Sequence, residues 1–109
     1  YFLNVHEGPQ SLSKNNKINL QHGMIVSNEP GYYKEGSFGI RIENLVYINN
    51  NKFEELTMVP IEKNMINKKI LKKDEVKWID NYHKKVKKNL FRFMSSSEKK
   101  DLTKSCSPI

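Results

Sequence analysis

Between residues 38 and 48 the chain alternates between apolar and polar positions. Phe38, Ile40, Ile42, Val46 and Ile48 fall on one side, and Arg41, Glu43, Leu45 and Tyr47 on the other. A period of two predicts a β-strand. Asn49-Asn50-Asn51 then supplies a polar turn into a second predicted strand at residues 52–59, which Pro60 closes, so the pair predicts a β-hairpin. Upstream, residues 1–5 form a short apolar strand candidate ending at His6, and Gly8-Pro9 leads into a polar loop that runs to Asn19. Residues 24–27 predict a further strand, stopped at Asn28-Glu29-Pro30-Gly31, where proline and glycine favour a turn.

The period changes near Asp74. Val76, Ile79, Tyr82, Val86, Leu90 and Phe93 recur at spacings of three and four with lysines opposite, which predicts an amphipathic helix over residues 74–94. Asp74 and Glu75 at its start suit the helix dipole. Ser95-Ser96-Ser97 interrupts the pattern, and the final dozen residues are polar enough to expect a loose tail. The fold class expected is α+β, antiparallel strands and a hairpin followed by a C-terminal helix. Its expected divisions are 1–61, which holds the strands, and 62–109, a basic extension with the helix and tail.

The 109 residues suit one small domain, but only 37% are hydrophobic and 28% are charged, so the core can only be modest. The chain opens at Tyr1 within an apolar run, without an initiator methionine. It therefore reads as a piece of a longer protein whose neighbouring parts help it fold. Cys106 is the only cysteine, which excludes an intrachain disulfide and fits a reducing, cytoplasmic setting. The apolar stretches are strand-sized, far short of the roughly 20 residues that span a bilayer, so no membrane partner is expected. Residues 62–109 carry fourteen basic and six acidic side chains, a net +8, against five and six in residues 1–61. Such a block attracts polyanions, yet its lysines are mixed with asparagines as in a solvated surface. Nucleic acid is not expected as a partner.

The candidate chemistry lies in the first division. Arg41 and Glu43, two apart on a strand, point the same way, so a guanidinium could orient a cation-binding carboxylate; an ordinary surface ion pair has the same pattern. Glu29 sits where a strand gives way to a Pro-Gly turn, as a metal-ligating or proton-transferring carboxylate would, or as a turn cap would. His6 also ends a strand beside a tight turn. His22 and His83 read as a surface residue and a packing residue.

Three segments in order, Leu3-Asn4-Val5-His6-Glu7-Gly8-Pro9, Gly23-Met24-Ile25-Val26-Ser27-Asn28-Glu29-Pro30-Gly31-Tyr32-Tyr33 and Gly39-Ile40-Arg41-Ile42-Glu43-Asn44, resemble the C-terminal half of the catalytic domain of the Xaa-Pro aminopeptidases (aminopeptidase P, metallopeptidase family M24). Weaker similarity continues through Leu56-Thr57-Met58-Val59-Pro60-Ile61 and Trp78-Ile79-Asp80-Asn81-Tyr82-His83, and the closing Pro108-Ile109 resembles the eukaryotic cytosolic form.

The resemblance implies the pita-bread fold and two divalent metal ions, usually Mn2+, that share an activated water. It implies hydrolysis of peptides with a free N-terminus and proline second, by a homodimer. Glu29 and Glu43 match metal ligands, Glu43 the one shared by both ions and Glu29 the one that also exchanges a proton with the water. His6 matches a substrate-contacting catalytic histidine, and Arg41 a residue that supports the ligands. The family's other ligands, two aspartates and a histidine, have no counterpart in this chain, so the isolated 109 residues are expected to be inactive. Prolidase, methionine aminopeptidase and creatinase share the fold and its glutamates. A metal-free binding module is the alternative outside enzymes.

Overall fold

The computed structural model describes residues 8–109, so the predicted strand over residues 1–5 and the candidate His6 lie outside the described residues. The chain divides into two compact units, the first ending at Thr57 and the second comprising Met58–Ile109.

In the first unit, β1 (Ile25–Asn28), β4 (Asn44–Asn49) and β5 (Lys52–Glu55) form an antiparallel sheet in the order β1-β4-β5, while β2 (Gly31–Lys34) and β3 (Phe38–Arg41) pair as a separate two-stranded ribbon. The single strand expected over residues 38–48 is therefore two strands in two sheets. Pro30 is the physical reason. It has no N–H to give to a ladder, so pairing lapses at Glu29-Pro30 on one arm and at Ile42-Glu43 on the other. Pairing of Asn28 with Asn44 before the gap and of Gly31 with Arg41 after it keeps one register throughout. The Ile42 N–H donates to the Pro30 carbonyl at 3.2 Å inside the gap. β1-β2 and β3-β4 are thus the arms of one long hairpin, interrupted midway.

Because the register is continuous, the alternation read from sequence survives the break. The even face carries Val26, Val46 and Ile48, which are buried and form the core of this unit with Leu20 and Met24 packed against them. Phe38, Ile40 and Ile42 share that parity but are exposed, since the core cluster reaches only the β1-β4 half. The hairpin expected at Asn49-Asn50-Asn51 is present. Asn49 pairs with Lys52, and Asn50 and Asn51 take φ of 45° and 65°, the left-handed conformation that two-residue hairpin turns use and asparagine tolerates. β5 stops at Glu55, short of the expected end at Val59.

In the second unit, α1 (Lys73–Leu90) buries Ile79, Tyr82, His83 and Val86 along one stripe and ends in a 3-10 turn, Phe91–Phe93. The expected helix is thus cut one turn short, and Phe93 is left exposed instead of joining the stripe. The loose tail is also corrected. Residues Ser96–Ser105 form a second helix, α2, because Ser95 and Glu98 make a reciprocal cap: the Ser95 N–H donates to Glu98 Oε2 at 2.8 Å and the Glu98 N–H to Ser95 Oγ at 3.4 Å. Leu102 and Cys106 from this segment close a core with Tyr82 and Val86, with Met58, Ile61, Leu90 and Met94 around it. The Lys63 ammonium caps the far end of α2, donating to the Lys104 carbonyl at 2.9 Å and to the carbonyl and hydroxyl of Ser107. No helix among the described residues is long and apolar enough to cross a membrane.

Candidate metal centre

The interruption of the long hairpin is where its charged residues gather. Carried through the gap, the register sets Glu29 opposite Glu43 on the odd face, the face that also carries Ser27 and Arg41. Directly opposed like charges destabilise a ladder. A neighbouring cation offsets that cost, and Arg41 is one: its Nη1 donates to Glu29 Oε2 at 2.6 Å. Arg41 is the diagonal neighbour of Glu29 across the ribbon, within reach of a long side chain. The alternation alone put Arg41 beside Glu43; the geometry gives its hydrogen bond to Glu29.

The other oxygen of Glu29 is held as well. The Ser27 hydroxyl donates to Oε1 at 2.7 Å. Glu29 is consequently the more enclosed member of the ion pair, its side chain 23% exposed against 47% for Arg41. Glu29, with Tyr33 nearby, holds the Arg41 guanidinium above its already high ordinary pKa, so it stays charged at any accessible pH. The Tyr33 ring lies across the glycines of the ribbon. A Cβ at Gly31 would come within 2.7 Å of the Tyr33 hydroxyl, and one at Gly39 within 2.7 Å of its ring. At both positions a side chain would collide with this ring.

Ser27, Glu29, Pro30, Arg41 and Glu43 line one cleft of about 1110 Å³, with residues 8–13 forming another part of its wall. Glu29 and Glu43 thus line a common space, and carboxylates are the donor chemistry that suits hard divalent cations. Among the described residues no three side chains of the His, Cys, Asp and Glu type form a metal-sized cluster. These two carboxylates fit part of a donor set that further groups would have to complete.

The remaining histidines do not line this cleft. His22 is exposed and meets the Tyr47 hydroxyl and the Asn50 N–H, each at 3.4 Å. His83 is buried in α1, where its Nε2 accepts from the Ile61 N–H at 3.0 Å. Ser27 is the site residue that sequence reasoning missed. Its only signal was its place two residues before Glu29 on the same strand face.

Comparison with known proteins identifies the family. Residues 2–50 match the profile of metallopeptidase family M24, and residues 50–109 match the C-terminal region of peptidase_M24. Xaa-Pro aminopeptidase 1 of Dictyostelium discoideum is 48% identical over 98 residues, covering 78% of this chain and 16% of the relative. Aminopeptidase P2 of Arabidopsis thaliana is 47% identical over 98 residues, covering 77% of this chain and 14% of the relative. The chain therefore spans about a sixth of the length of these curated relatives. Among solved structures, the X-prolyl aminopeptidase of Caenorhabditis elegans, described as a cytosolic enzyme with a di-nuclear active site, matches 98% of this chain and 20% of its own, with a TM-score of 0.75 and 31% identity. The α+β architecture is accordingly a portion of the pita-bread fold. With both of its parts matched and its strands and helices superposing on a solved member, the chain belongs to metallopeptidase family M24, as the C-terminal part of an Xaa-Pro aminopeptidase-type catalytic domain.

Proposed function

We propose that this chain furnishes one wall of the active site of a metalloaminopeptidase which, as the full-length protein, removes the N-terminal residue from peptides with proline in second position. The observation that carries the reading is the register setting Glu29 opposite Glu43 in one cleft, with Arg41 holding Glu29. The names of the relatives and the di-nuclear site described for the nematode enzyme support it.

In this reading Glu29 and Glu43 help to hold two divalent ions, Mn2+ as the family resemblance implies, with two aspartates and a histidine supplied from elsewhere in the protein. Such ions lower the pKa of a shared water and polarise the scissile carbonyl. The chain's own residues then have distinct tasks. Glu43 would serve as a carboxylate ligand to the metal ions. Glu29 holds a proton at a carboxylate oxygen and passes it toward the proline nitrogen as the peptide bond breaks. Arg41 fixes the Glu29 carboxylate and balances its charge. His6, which precedes the described residues, donates a hydrogen bond to the substrate carbonyl. Cytoplasmic location and homodimeric assembly belong to the same proposal, the first supported by the description of the nematode enzyme as cytosolic.

The test is Glu43→Gln in the full-length protein. Release of the N-terminal residue from an Xaa-Pro peptide in Mn2+ should fall by more than about 100-fold, since even residues outside the ligand set are worth roughly 10–100-fold at such sites. Unchanged turnover would exclude Glu43 as a metal ligand.

A further inference from the structure

We infer that Ser27 is a positioning residue for this site: its hydroxyl fixes the orientation of the Glu29 carboxylate and thereby the cation affinity and turnover of the centre. The inference rests on the proposed metallopeptidase reading and goes beyond it, to a residue outside the ligand set.

Ser27 lies on β1 with its side chain on the odd face, two residues from Glu29. A serine hydroxyl has one proton to donate, and here that proton goes to Glu29 Oε1 at 2.7 Å in a part-buried position. Arg41 occupies the other oxygen at 2.6 Å. Two donors on the two oxygens leave the carboxylate no free rotation about its terminal bond, because turning it breaks one bond or the other. The donors differ in character. Arg41 sits on a side chain with several rotatable bonds and is half exposed, whereas Ser27 has a single torsion on a strand of the three-stranded sheet. The rigid member of the pair is the hydroxyl.

The surroundings favour this contact over a solvated serine. The residue opposite Ser27 in the ladder is Leu45, whose side chain has no polar atom to compete for the hydroxyl. Ile25, the preceding residue on the same face, is apolar too. Ser27 therefore has Glu29 as the carboxylate neighbour that register and strand parity place beside it.

The experiment uses the full-length protein and reads Mn2+ affinity by calorimetric titration, together with kcat and KM on an Xaa-Pro peptide. Ser27→Ala should weaken Mn2+ binding about 10-fold and lower kcat by a similar factor, with KM changed less than about 2-fold, as loss of an orienting hydrogen bond does. Ser27→Thr keeps the hydroxyl on a strand-compatible side chain and should restore both quantities to within about 2-fold of the parent protein. Alanine binding and turning over like the parent, or threonine as impaired as alanine, would overturn the role. Glu43→Gln run alongside separates the two levels. If it leaves Mn2+ binding intact, the metal-site reading itself fails; if it abolishes binding while Ser27→Ala has no effect, only the positioning role is lost.

Discussion

His83 shows how one buried residue can make a structural unit sensitive to pH. It is fully buried, and because its Nε2 accepts the Ile61 N–H the ring proton sits on Nδ1, for which there is no hydrogen-bond partner among the described residues. Burial, with Lys63 adding to it and Asp80 opposing, lowers its pKa below the ordinary 6.5. The unfolded chain then binds more protons than the folded one below 6.5, so this group leaves stability intact above that pH and erodes it as pH falls toward the folded value. Protonation at Nε2 would also remove the acceptor of the Ile61 amide. The protection factor of that amide in hydrogen exchange should therefore drop between about pH 7 and pH 5, and His83→Gln, which keeps an acceptor but does not titrate, should flatten the drop. A pH-independent protection factor in the parent chain would rule this out. The expectation of a packing histidine came from its place beside an apolar helical stripe. The candidate site was legible in sequence to a similar depth: Arg41 and Glu43 share a strand face by parity, and Glu29 stands at the Pro-Gly turn. What parity cannot give is which residues face each other across a ribbon. The bond from Arg41 to Glu29 therefore needed the fold, and so did the grip of Ser27 on the same carboxylate.

Elements follow the same division between local and non-local causes. The turn at Asn50-Asn51 was readable because asparagine accepts positive φ at low cost, and the stripe of α1 because its spacing is periodic. β2 was missed because Gly31-Tyr32-Tyr33-Lys34 has no alternation of its own; it is a strand only because β3 pairs with it. The tail was misjudged for a different reason. Its composition is polar, yet Ser95 and Glu98 stand at the spacing of a capping box, and Glu98 Oε2 accepts from both the backbone and the hydroxyl of Ser95. Those bonds lower the Glu98 pKa, keeping the carboxylate ionised at the positive end of α2. Ser95→Ala should cost about 1 kcal/mol, the usual value of a helix cap, and Ser95→Asp should recover most of it. Chemical denaturation of the two variants is the measurement. An alanine variant as stable as the parent would mean that Leu102 and Cys106, packed against Tyr82 and Val86, hold α2 without help from its cap.

At the scale of the whole molecule, the two small cores leave much apolar surface uncovered. Every residue of β2 and β3 is exposed, including Tyr32, Tyr33, Phe38 and Ile40, and Leu45 and Phe53 of the neighbouring sheet are exposed too. A two-stranded ribbon is marginal in water by itself, and contiguous apolar patches on soluble chains mark surfaces that meet something else. Tyr32 and Phe38 do pack ring to ring, with centroids 6.0 Å apart, but that contact leaves their outer faces open. Since the chain spans about a sixth of its curated relatives, most of a relative's length is available to cover the ribbon. Purified by itself, the 109-residue chain should bind a hydrophobic dye such as ANS and aggregate as its concentration rises, whereas the full-length protein should bind far less dye and not associate beyond its dimer. Replacing Phe38 and Ile40 by serine and threonine should reduce dye binding by the isolated chain, since both side chains lie in the exposed ribbon and outside the buried clusters. An isolated chain that is monomeric and silent to the dye would show that the ribbon folds back on its own unit. Covering the ribbon would also stiffen the arms that carry Arg41 and Glu43, because across the gap only the Ile42 N–H to the Pro30 carbonyl ties them together. The folding cost of the exposed ribbon and the geometry of the carboxylate pair would then be met by the same contact.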